Sequence, residues 1–303
     1  MTLVSIVTVN FNQPEATIAL LQSLKQQDFK SFEVILVDNA SNENHEAKFH
    51  QTFPNLILIR TKHNLGFAGG NNLGIKVAKG DYIFLLNNDT EVEKDCISQM
   101  VKEFEGNKNI GLLSPLILYH DDKSVIQYAG YTPLNYLTAR NKQIGQYEKN
   151  VGQFDGITRE TGFCHGAAVM CRKQDLAKAG LMDESYFLYY EELDWCEKFK
   201  RIGKRIYFTG KTHVFHKESI SVGKESPIKT YFITRNRMLF IRKNTSLLNT
   251  LIFSVYYILI ACPKMLFGYL LSGKKNLTTW VLKAVFWNLT HGKNSSTLGF
   301  KIK

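Results

Sequence analysis

A carboxylate follows an apolar run in the segment IFLLNNDT, Ile83–Thr90. An unpaired charge is costly at the end of a buried strand, so Asp89 needs a ligand or a partner. A second acid, Asp38, ends the earlier apolar run FEVILVD. Because Mg²⁺ takes one or two carboxylates and leaves its other positions to phosphate and water, the pattern favours a divalent cation at Asp89. Capping by Asp89 or Thr90 of a helix that begins at Glu91 is a compatible alternative.

The segment HNLGFAGGNN, His63–Asn72, is rich in glycine. Gly66, Gly69 and Gly70 let the backbone approach a ligand at a helix N-terminus, where phosphate binds well. The spacing is not the G-x-G-x-x-G of dinucleotide-binding proteins. An ordinary flexible loop explains the same residues.

Acids stand among aromatics in the segment DESYFLYYEELDWCEKF. The acids are Asp183, Glu184, Glu191, Glu192 and Asp194. Carboxylates at a helix start complement the helix dipole, which is one explanation. The aromatic run Tyr186–Tyr190 suggests another, because desolvation raises the pKa of a carboxylate and suits it to act as a base.

Two histidines, His213 and His216, stand in the segment HVFHKES after the strand-like run Arg205–Thr209. A lone histidine is usually structural. Either of these could instead be a metal ligand or contact a phosphate.

Four short apolar runs precede or flank these residues, and their β-branched residues predict buried parallel strands. The runs are VSIVTV, FEVILVD, NLILIR and YIFLLNND. Helices are predicted between them, one with Asn12 as its cap and Pro14 in its first turn. Another ends at Gly80, and a third covers roughly residues 91–105.

This alternation predicts a Rossmann-like open sheet, in which ligands bind at the carboxyl ends of the strands. Asn10, Asp38 and Asp89 all fall at such ends. Residues 110–180 predict a mixed, partly antiparallel extension. A helix EELDWCEKFKRIGK, a strand RIYFTG and a basic helix KTYFITRNRMLFIRKN follow.

Composition narrows the partners. The chain has 303 residues, 44% of them hydrophobic, and a formal net charge of +11. That surface favours anionic partners, but no Lys/Arg block marks a nucleic-acid arm, so we expect no nucleic acid. The N-terminus has no signal-peptide pattern, which predicts a cytoplasmic protein. Five cysteines, an odd number, predict free thiols.

Taken in order, seven segments resemble the family 2 inverting glycosyltransferases of GT-A fold, in particular the rhamnosyltransferase-like branch. They are VTVNFN, ILVDNAS, NLGFAGGNN, FLLNNDT, YYEELDW, HKES and RNRMLF. The resemblance implies an α/β GT-A fold, with a Rossmann-like nucleotide-binding core and a mixed central sheet, plus a C-terminal helical extension. The domain would cover residues 1–244, with a nucleotide-sugar half at 1–110 and an acceptor half at 111–244. The extension would cover 245–303.

The resemblance also implies a nucleotide site. Asp38 would hold the nucleobase and ribose, and Asn10 and Asn71 would line the pocket. Asn64, Gly66 and Asn88 belong to the same donor motifs. Asp89 would bind the Mg²⁺ or Mn²⁺ that bridges the donor diphosphate, and His216 would complete that site.

For the acceptor side, the family's acid pair corresponds to Glu191 and Glu192. Glu192 aligns with the usual aspartate and would be the general base, although which of the two serves stays open. Gly166, Ala167 and Asp194 would shape the acceptor cleft.

The reaction implied is transfer of rhamnose or a similar sugar, with inversion, to a hydroxyl of a saccharide or lipid-linked acceptor in cell-surface polysaccharide synthesis. The donor would be dTDP-rhamnose or a UDP-sugar. A GT-A-like nucleotidyltransferase and a non-catalytic nucleotide-sugar-binding relative are the alternatives. A dinucleotide-dependent oxidoreductase would need a glycine fingerprint that VTVNFNQPE does not contain.

The segment Leu247–Leu271 is apolar, but Pro263 and Lys264 interrupt it after the twelve residues LIFSVYYILIAC. A spanning helix needs about 20 residues. Either a buried core helix or an interfacial anchor fits. The flanking basic residues favour the anchor, and hence a peripheral protein on the inner face of the membrane.

Overall fold

The computed structural model describes residues 2–217 and 226–302. Within them, a single mixed sheet of ten strands forms the centre of the fold. The strands are β1 (Val4–Asn10), β2 (Phe32–Asp38), β3 (Ile57–Arg60), β4 (Tyr82–Leu86), β5 (Thr90–Val92), β6 (Ile110–Tyr119), β7 (Ile126–Tyr128), β8 (Thr158–Glu160), β9 (Ala168–Arg172) and β10 (Arg205–His216).

The strand order is β3-β2-β1-β4-β9-β6-β10-β5, with β7 beside β6 and β8 beside β10. The four strands β3, β2, β1 and β4 are parallel, as the apolar runs predict. β9 is antiparallel to both β4 and β6, so it joins the parallel half to the rest of the sheet. The predicted mixed extension is therefore confirmed.

The side chains of each strand alternate between two apolar layers, because successive side chains of a strand point to opposite faces of the sheet. Ile6 and Val34 pack in the layer on one face of the sheet. Val7 and Ile35, the next residues along, pack in the layer on the other face. A sheet covered on both faces explains why these strands are apolar throughout rather than alternating with polar residues.

Helices cover both faces of the sheet and form the C-terminal region. They are α1 (Pro14–Lys25), α2 (Glu46–Thr52), α3 (Gly66–Val77), α4 (Cys96–Gly106), α5 (Lys173–Ala179), α6 (Glu191–Arg201), α7 (Pro227–Asn244), α8 (Leu247–Tyr256), α9 (Cys262–Leu271) and α10 (Lys275–Thr290).

The start of α1 differs from the prediction. Asn12 does not cap it, because its backbone is left-handed (φ 55°) and its side chain accepts from the amide of Asn42 at 2.8 Å. The side-chain oxygen of Asn10 accepts instead, from the amide of Gln13 at 3.2 Å. Asn10, at the end of β1, therefore provides the hydrogen-bond acceptor for a backbone amide at the start of α1.

The predicted helix at 91–105 is also shorter than expected. Residues 90–92 form β5, which pairs antiparallel with β10, and α4 begins only at Cys96. Asp89 therefore precedes a strand and Thr90 begins it, and the prediction that one of them caps a helix is wrong. All five cysteines are free, as predicted.

The predicted basic face of α7 is not a solvated face. Arg235 is completely buried, and its guanidinium lies 4.0 Å from the centre of the Trp287 ring in α10. Arg242 of α7 donates to the side chain of Asn288, also in α10, at 3.1 Å. The C-terminal helix α10 is thus packed on α7 and supports it.

The apolar segment is one helix of 25 residues, Leu247–Leu271, long and apolar enough by length and composition to cross a membrane. Pro263 does not break it. A π-helical turn at Tyr257–Ala261 lies just before the proline, whose ring would otherwise crowd the carbonyl of Leu259. Only 17% of the most apolar stretch is buried, so the core-helix alternative is wrong.

Candidate active site

A cavity of about 500 Å³ opens at the carboxyl ends of the parallel strands and reaches the start of α6. Ten of the predicted site residues line it. They are Asn64, Gly66, Asn71, Asn88, Asp89, Gly166, Ala167, Glu191, Glu192 and His216. Three predicted site residues, Asn10, Asp38 and Asp194, do not.

One side of the cavity, which we call the amide wall, consists of Asn39, Asn64, Asn71 and Asn88. Asn39 donates to the side chain of Asn64 and to the carbonyl of Gly66, both at 3.1 Å. Asn64 in turn accepts from the amide of Gly66 at 2.9 Å. These bonds fix the loop that enters α3. Asn39 was missed in the sequence, although it directly follows Asp38 at a strand end.

Asp38 is buried outside the cavity lining, with 2% of its surface exposed. One carboxylate oxygen accepts from the Asn10 side chain at 3.2 Å, and the other lies 3.2 Å from Nε of Arg60. The register of β2 and β3 sets Arg60 directly opposite Asp38. Asn10 and Asp38 therefore lie behind the amide wall. Asn88, a residue of that wall, donates from its side chain to the hydroxyl oxygen of Thr17 at 3.1 Å.

Asp89 and His216 lie next to each other at the N-terminal end of β5. The antiparallel register pairs His216 with Thr90, which brings Nε2 of His216 to 3.2 Å from Oδ1 of Asp89. Both side chains are more than nine-tenths buried. Nδ1 of His216 lies 2.8 Å from the amide oxygen of Gln127, and Nε2 is directed at Asp89.

Oδ1 of Asp89 is buried and has no hydrogen-bond donor among residues 2–217 and 226–302. A buried carboxylate oxygen beside an imidazole nitrogen is a donor set that suits a divalent cation, whose remaining positions diphosphate and water would fill. In the ranges 2–217 and 226–302, no group of three or more His, Cys, Asp or Glu side chains could hold a metal. Asp89 and His216 are the two residues of these ranges that would hold the cation.

The opposite side of the cavity, which we call the acid wall, consists of Glu191, Glu192 and the preceding residues 187–190. Burial raises the pKa of Glu192 to about 6, although the backbone amides at the start of α6 oppose that shift. Burial, and then the neighbouring Glu192, raise the pKa of Glu191 well above its ordinary value. One oxygen of each carboxylate is buried without a hydrogen-bond donor in the part of the chain that the structure describes.

The backbone of the acid wall is strained. Phe187, Tyr189 and Tyr190 have φ angles of 63°, 68° and 75°. Non-glycine residues held in the left-handed region cost about 1–3 kcal/mol each and persist only where the surroundings fix them. The strained residues end where α6 begins, so they determine how Glu191 and Glu192 enter the cavity.

The remaining lining comes from the mixed half of the sheet. Gly166 lies against Glu192, since a Cβ there would be 3.8 Å from Cγ of Glu192. His165 is half-buried, and desolvation, assisted by His216, lowers its pKa to about 3. Tyr131 has its pKa raised by burial and then by Glu192. His165, Tyr131 and Gln127 were not predicted, because their segments carry no periodic pattern.

Asp194 lies on another face of α6, with no place in the cavity lining. Its carboxylate accepts from Asn244 at 2.8 Å and from the hydroxyl of Tyr186 at 3.2 Å, and it lies 3.7 Å from Nζ of Lys198. These contacts tie α6 to α7. Of the segment HKES, the residues after 217 lie outside the described part of the chain.

The sheet, the strand-end cavity and its acids define a glycosyltransferase of GT-A fold. The model of glycosyl transferase family 2 matches residues 5–179, more than half of the chain, and the protein belongs to that family. It is a glycosyltransferase of the kind that builds polysaccharides and glycans.

Two curated relatives illustrate the range. The hexosyltransferase Agl10 of low-salt glycan biosynthesis, from Haloferax volcanii, is 25% identical, over 78% of this chain and 74% of its own length. The N-acetylglucosaminyl-diphospho-decaprenol L-rhamnosyltransferase of Mycobacterium tuberculosis is 22% identical, over 73% of this chain and 78% of its own length.

Solved structures agree on the fold. The mannosyltransferase PcManGT from Pyrobaculum calidifontis, crystallised with GDP-Man and Mn²⁺, superposes with a TM-score of 0.58 at 12% identity. The superposition covers 95% of this chain and 87% of that one. The GT-A class of the fold predicted from the motifs is therefore confirmed.

Proposed function

We propose that the protein transfers rhamnose or a similar sugar, with inversion, from a nucleotide-diphosphate sugar to a hydroxyl of a saccharide or lipid-linked acceptor. The observation that carries this proposal is that the Asp89–His216 pair and Glu192 line one cavity. The mycobacterial relative, an L-rhamnosyltransferase by name, supports the choice of sugar. We propose dTDP-rhamnose or a UDP-sugar as the donor.

The donor diphosphate lies beside Asp89 and His216 in this proposal. These two residues would hold Mg²⁺ or Mn²⁺, and the cation would supply Lewis-acid stabilisation of the charge on the leaving diphosphate. The PcManGT complex with GDP-Man and Mn²⁺ supports this assignment. The amide wall and Gly66 contact the nucleotide sugar, while Asn10 and Asp38 hold that wall from behind.

Glu192 acts as the general base. The acceptor oxygen attacks the anomeric carbon as the bond from that carbon to the diphosphate oxygen breaks. The acceptor proton passes to the carboxylate of Glu192, and the nucleoside diphosphate leaves with the bonding electrons. A single displacement of this kind inverts the anomeric centre. Gly166 and Ala167 leave room for the acceptor beside Glu192.

A panel of nucleotide sugars tests the proposal. dTDP-rhamnose, UDP-glucose and GDP-mannose would each be added with Mn²⁺, and both the thermal shift and the release of nucleoside diphosphate would be measured. We expect one donor to stabilise the protein and to be hydrolysed slowly without an acceptor. Binding of none of them, with or without Mn²⁺, would contradict the proposal.

We also propose that the C-terminal region lies on an anionic membrane surface. The helix Leu247–Leu271 and α10 expose large apolar side chains to solvent. They include Leu247, Leu251, Val255, Leu259, Ile260, Phe267, Leu271, Leu282 and Phe286. Lys264, Lys274, Lys275 and Lys283 lie among them. Apolar side chains bordered by lysines suit an interfacial helix.

Flotation of the full-length protein with liposomes tests this proposal. Serine at Leu251, Leu259 and Phe267 together should abolish flotation with anionic lipid, because these side chains are more than half exposed. Serine at Leu65 and Leu137, exposed residues outside this region, is the control. Removing everything after Asn244 is a poor test, since it also removes Trp287, which packs on Arg235. Wild-type protein that stays soluble at low salt would contradict the proposal.

A further inference from the structure

The acid wall is held from behind by α7. The side chain of Asn236 is completely buried, and its amide nitrogen donates to three backbone carbonyls. The three acceptors are the carbonyl oxygens of Tyr186 at 2.9 Å, Leu188 at 2.7 Å and Tyr189 at 2.8 Å. A single side chain thus contacts most of the segment that leads into α6.

Arg235 extends this contact. Its guanidinium donates to the side-chain oxygen of Asn236 at 2.6 Å and to the carbonyl of Ser185 at 2.9 Å. The bond to Asn236 orients the amide so that its nitrogen faces the carbonyls. The guanidinium is itself fixed against the ring of Trp287.

The segment needs such support. Three of its four residues before α6 are left-handed without being glycine, so the free chain would prefer another path. The Asn236 amide nitrogen can donate to all three carbonyls only when they are arranged as they are in this structure. Once they are fixed, Tyr190 directly precedes α6, which has Glu191 and Glu192 in its first turn.

We propose that Asn236, oriented by Arg235, is a positioning residue for Glu192. Asn236 holds residues 186–190, three of which have a left-handed backbone, and in this way directs the Glu192 carboxylate into the cavity. This role rests on the proposed function of Glu192. Asn236 itself does not line the cavity, and it acts on the reaction only through this segment.

Asn236→Asp is the most direct test, because it keeps the shape and replaces the donor by an acceptor facing three carbonyls. Asn288→Asp is the matched control. Asn288 is also buried and donates to two backbone carbonyls, those of Arg235 at 3.0 Å and Ala284 at 3.1 Å, on the other side of α7. Both variants would be made in the full-length protein.

Two measurements would be compared. Amide hydrogen exchange of the peptide covering 186–192 should rise by roughly tenfold or more in Asn236→Asp, because its local opening becomes easier. The kcat should fall by about 10²-fold with little change in the donor KM, since the base and not the donor site is displaced. Asn288→Asp should change neither measurement by more than about threefold, because the carbonyls that it contacts, those of Arg235 and Ala284, lie outside the segment 186–192 whose opening is measured.

If Asn236→Asp does not fold, Asn236→Ser, which keeps one donor, takes its place with smaller expected changes. Wild-type exchange in the folded variant, or faster exchange without a fall in kcat, would overturn the proposal. The exchange measurement needs no substrate. Failure of the wild-type protein to use any nucleotide sugar would therefore count against the proposed function, while the exchange of residues 186–192 would still decide whether Asn236 holds them.

Discussion

The amide wall and the acid wall face each other across one cavity, but they differ in how their polar groups are satisfied. In the amide wall, Asn39 and Asn64 are hydrogen-bonded to each other and to their own loop. In the acid wall, Glu191 and Glu192 each bury an oxygen that has no hydrogen-bond donor among the described residues. A satisfied network defines a shape, whereas an unsatisfied buried acid keeps a raised pKa and a free acceptor.

The same contrast holds for the backbone. The parallel strands that carry the amide wall are regular and buried on both faces. The acid wall depends on three strained residues and on support from α7. We conclude that the amide wall is set mainly by the sheet, whereas the acid wall needs contacts from residues far away in the sequence.

The largest effect is expected where the two walls meet the Asp89–His216 pair. Asp89→Asn should lower the rate of transfer by about 10³-fold or more, because Lewis-acid stabilisation supplies several kcal/mol and each 1.36 kcal/mol is a factor of ten. Mn²⁺ binding by calorimetry should weaken in parallel. Asp121→Asn, at a fully exposed acid, is the control. Activity of Asp89→Asn within tenfold of the wild type would remove this pair from the site.

Next, Glu192→Gln should lower kcat by at least about 10²-fold, as expected for loss of a general base. The affinity for nucleoside diphosphate should remain, because the amide wall is untouched. Glu191→Gln should have the smaller effect, since Glu192 is the acid beside Gly166. An inactive Glu191→Gln together with an active Glu192→Gln would show that the roles are reversed.

The pH dependence should separate the walls further. A base with a pKa of about 6 must be ionised, so kcat/KM should fall about tenfold for each pH unit below 6. Stability should change in the opposite direction. The folded pKa of Glu192 is raised above the value of 4.5 for a free side chain, so its stabilising contribution is complete below pH 4.5 and is lost as the pH rises through 6.

Thermal unfolding at several pH values checks this second part. The wild type should lose stability relative to Glu192→Gln between pH 4.5 and pH 7. Parallel curves for the two proteins across that range would show that Glu192 is not desolvated in solution.

A smaller effect, on stability, is expected at Gly66, where the two walls touch. The amide of Phe67 donates to the carbonyl of Phe187 at 2.7 Å, and Gly66 has a φ of 71°. A Cβ at Gly66 would collide with that carbonyl and lie 2.6 Å from Cδ2 of the Phe187 ring. Gly66→Ala should therefore reduce the free energy of unfolding by about 1–3 kcal/mol.

Chemical denaturation measures that change. Gly106→Ala is the control, because nothing lies within 4 Å of a Cβ there and its backbone is not left-handed. If the two alanine variants are equally stable, the walls do not meet closely at Gly66.

Much of the amide wall could be predicted from the sequence, because short apolar runs identify parallel strands and such strands bring their carboxyl ends together. What the pattern could not supply was the pairing across strands. Asp38 ends its strand as predicted, but the register that sets Arg60 opposite it depends on the fold. The strand at 90–92 was missed for the same reason, since three residues carry no period and depend on pairing with β10.

The acid wall was predicted less completely. The acids and aromatics could be read directly, but the buried Arg235 and Asn236 look like part of an exposed basic helix. Hydrophobic pattern gives no sign that a polar side chain will find its partners inside the protein. Asp194 shows the converse, because it stands two residues from Glu192 and yet faces α7 instead of the cavity.

The number of residues in the left-handed segment before α6 determines which side chains of that helix face the cavity. Each residue of an α-helix advances the side chains by about 100° around the axis. Deletion or insertion of one residue between Phe187 and Tyr190 would thus rotate α6 and present Leu193 or another neighbour where Glu192 now stands. The length of this segment sets the rotational phase of the helix, and with it the identity of the carboxylate that meets the acceptor.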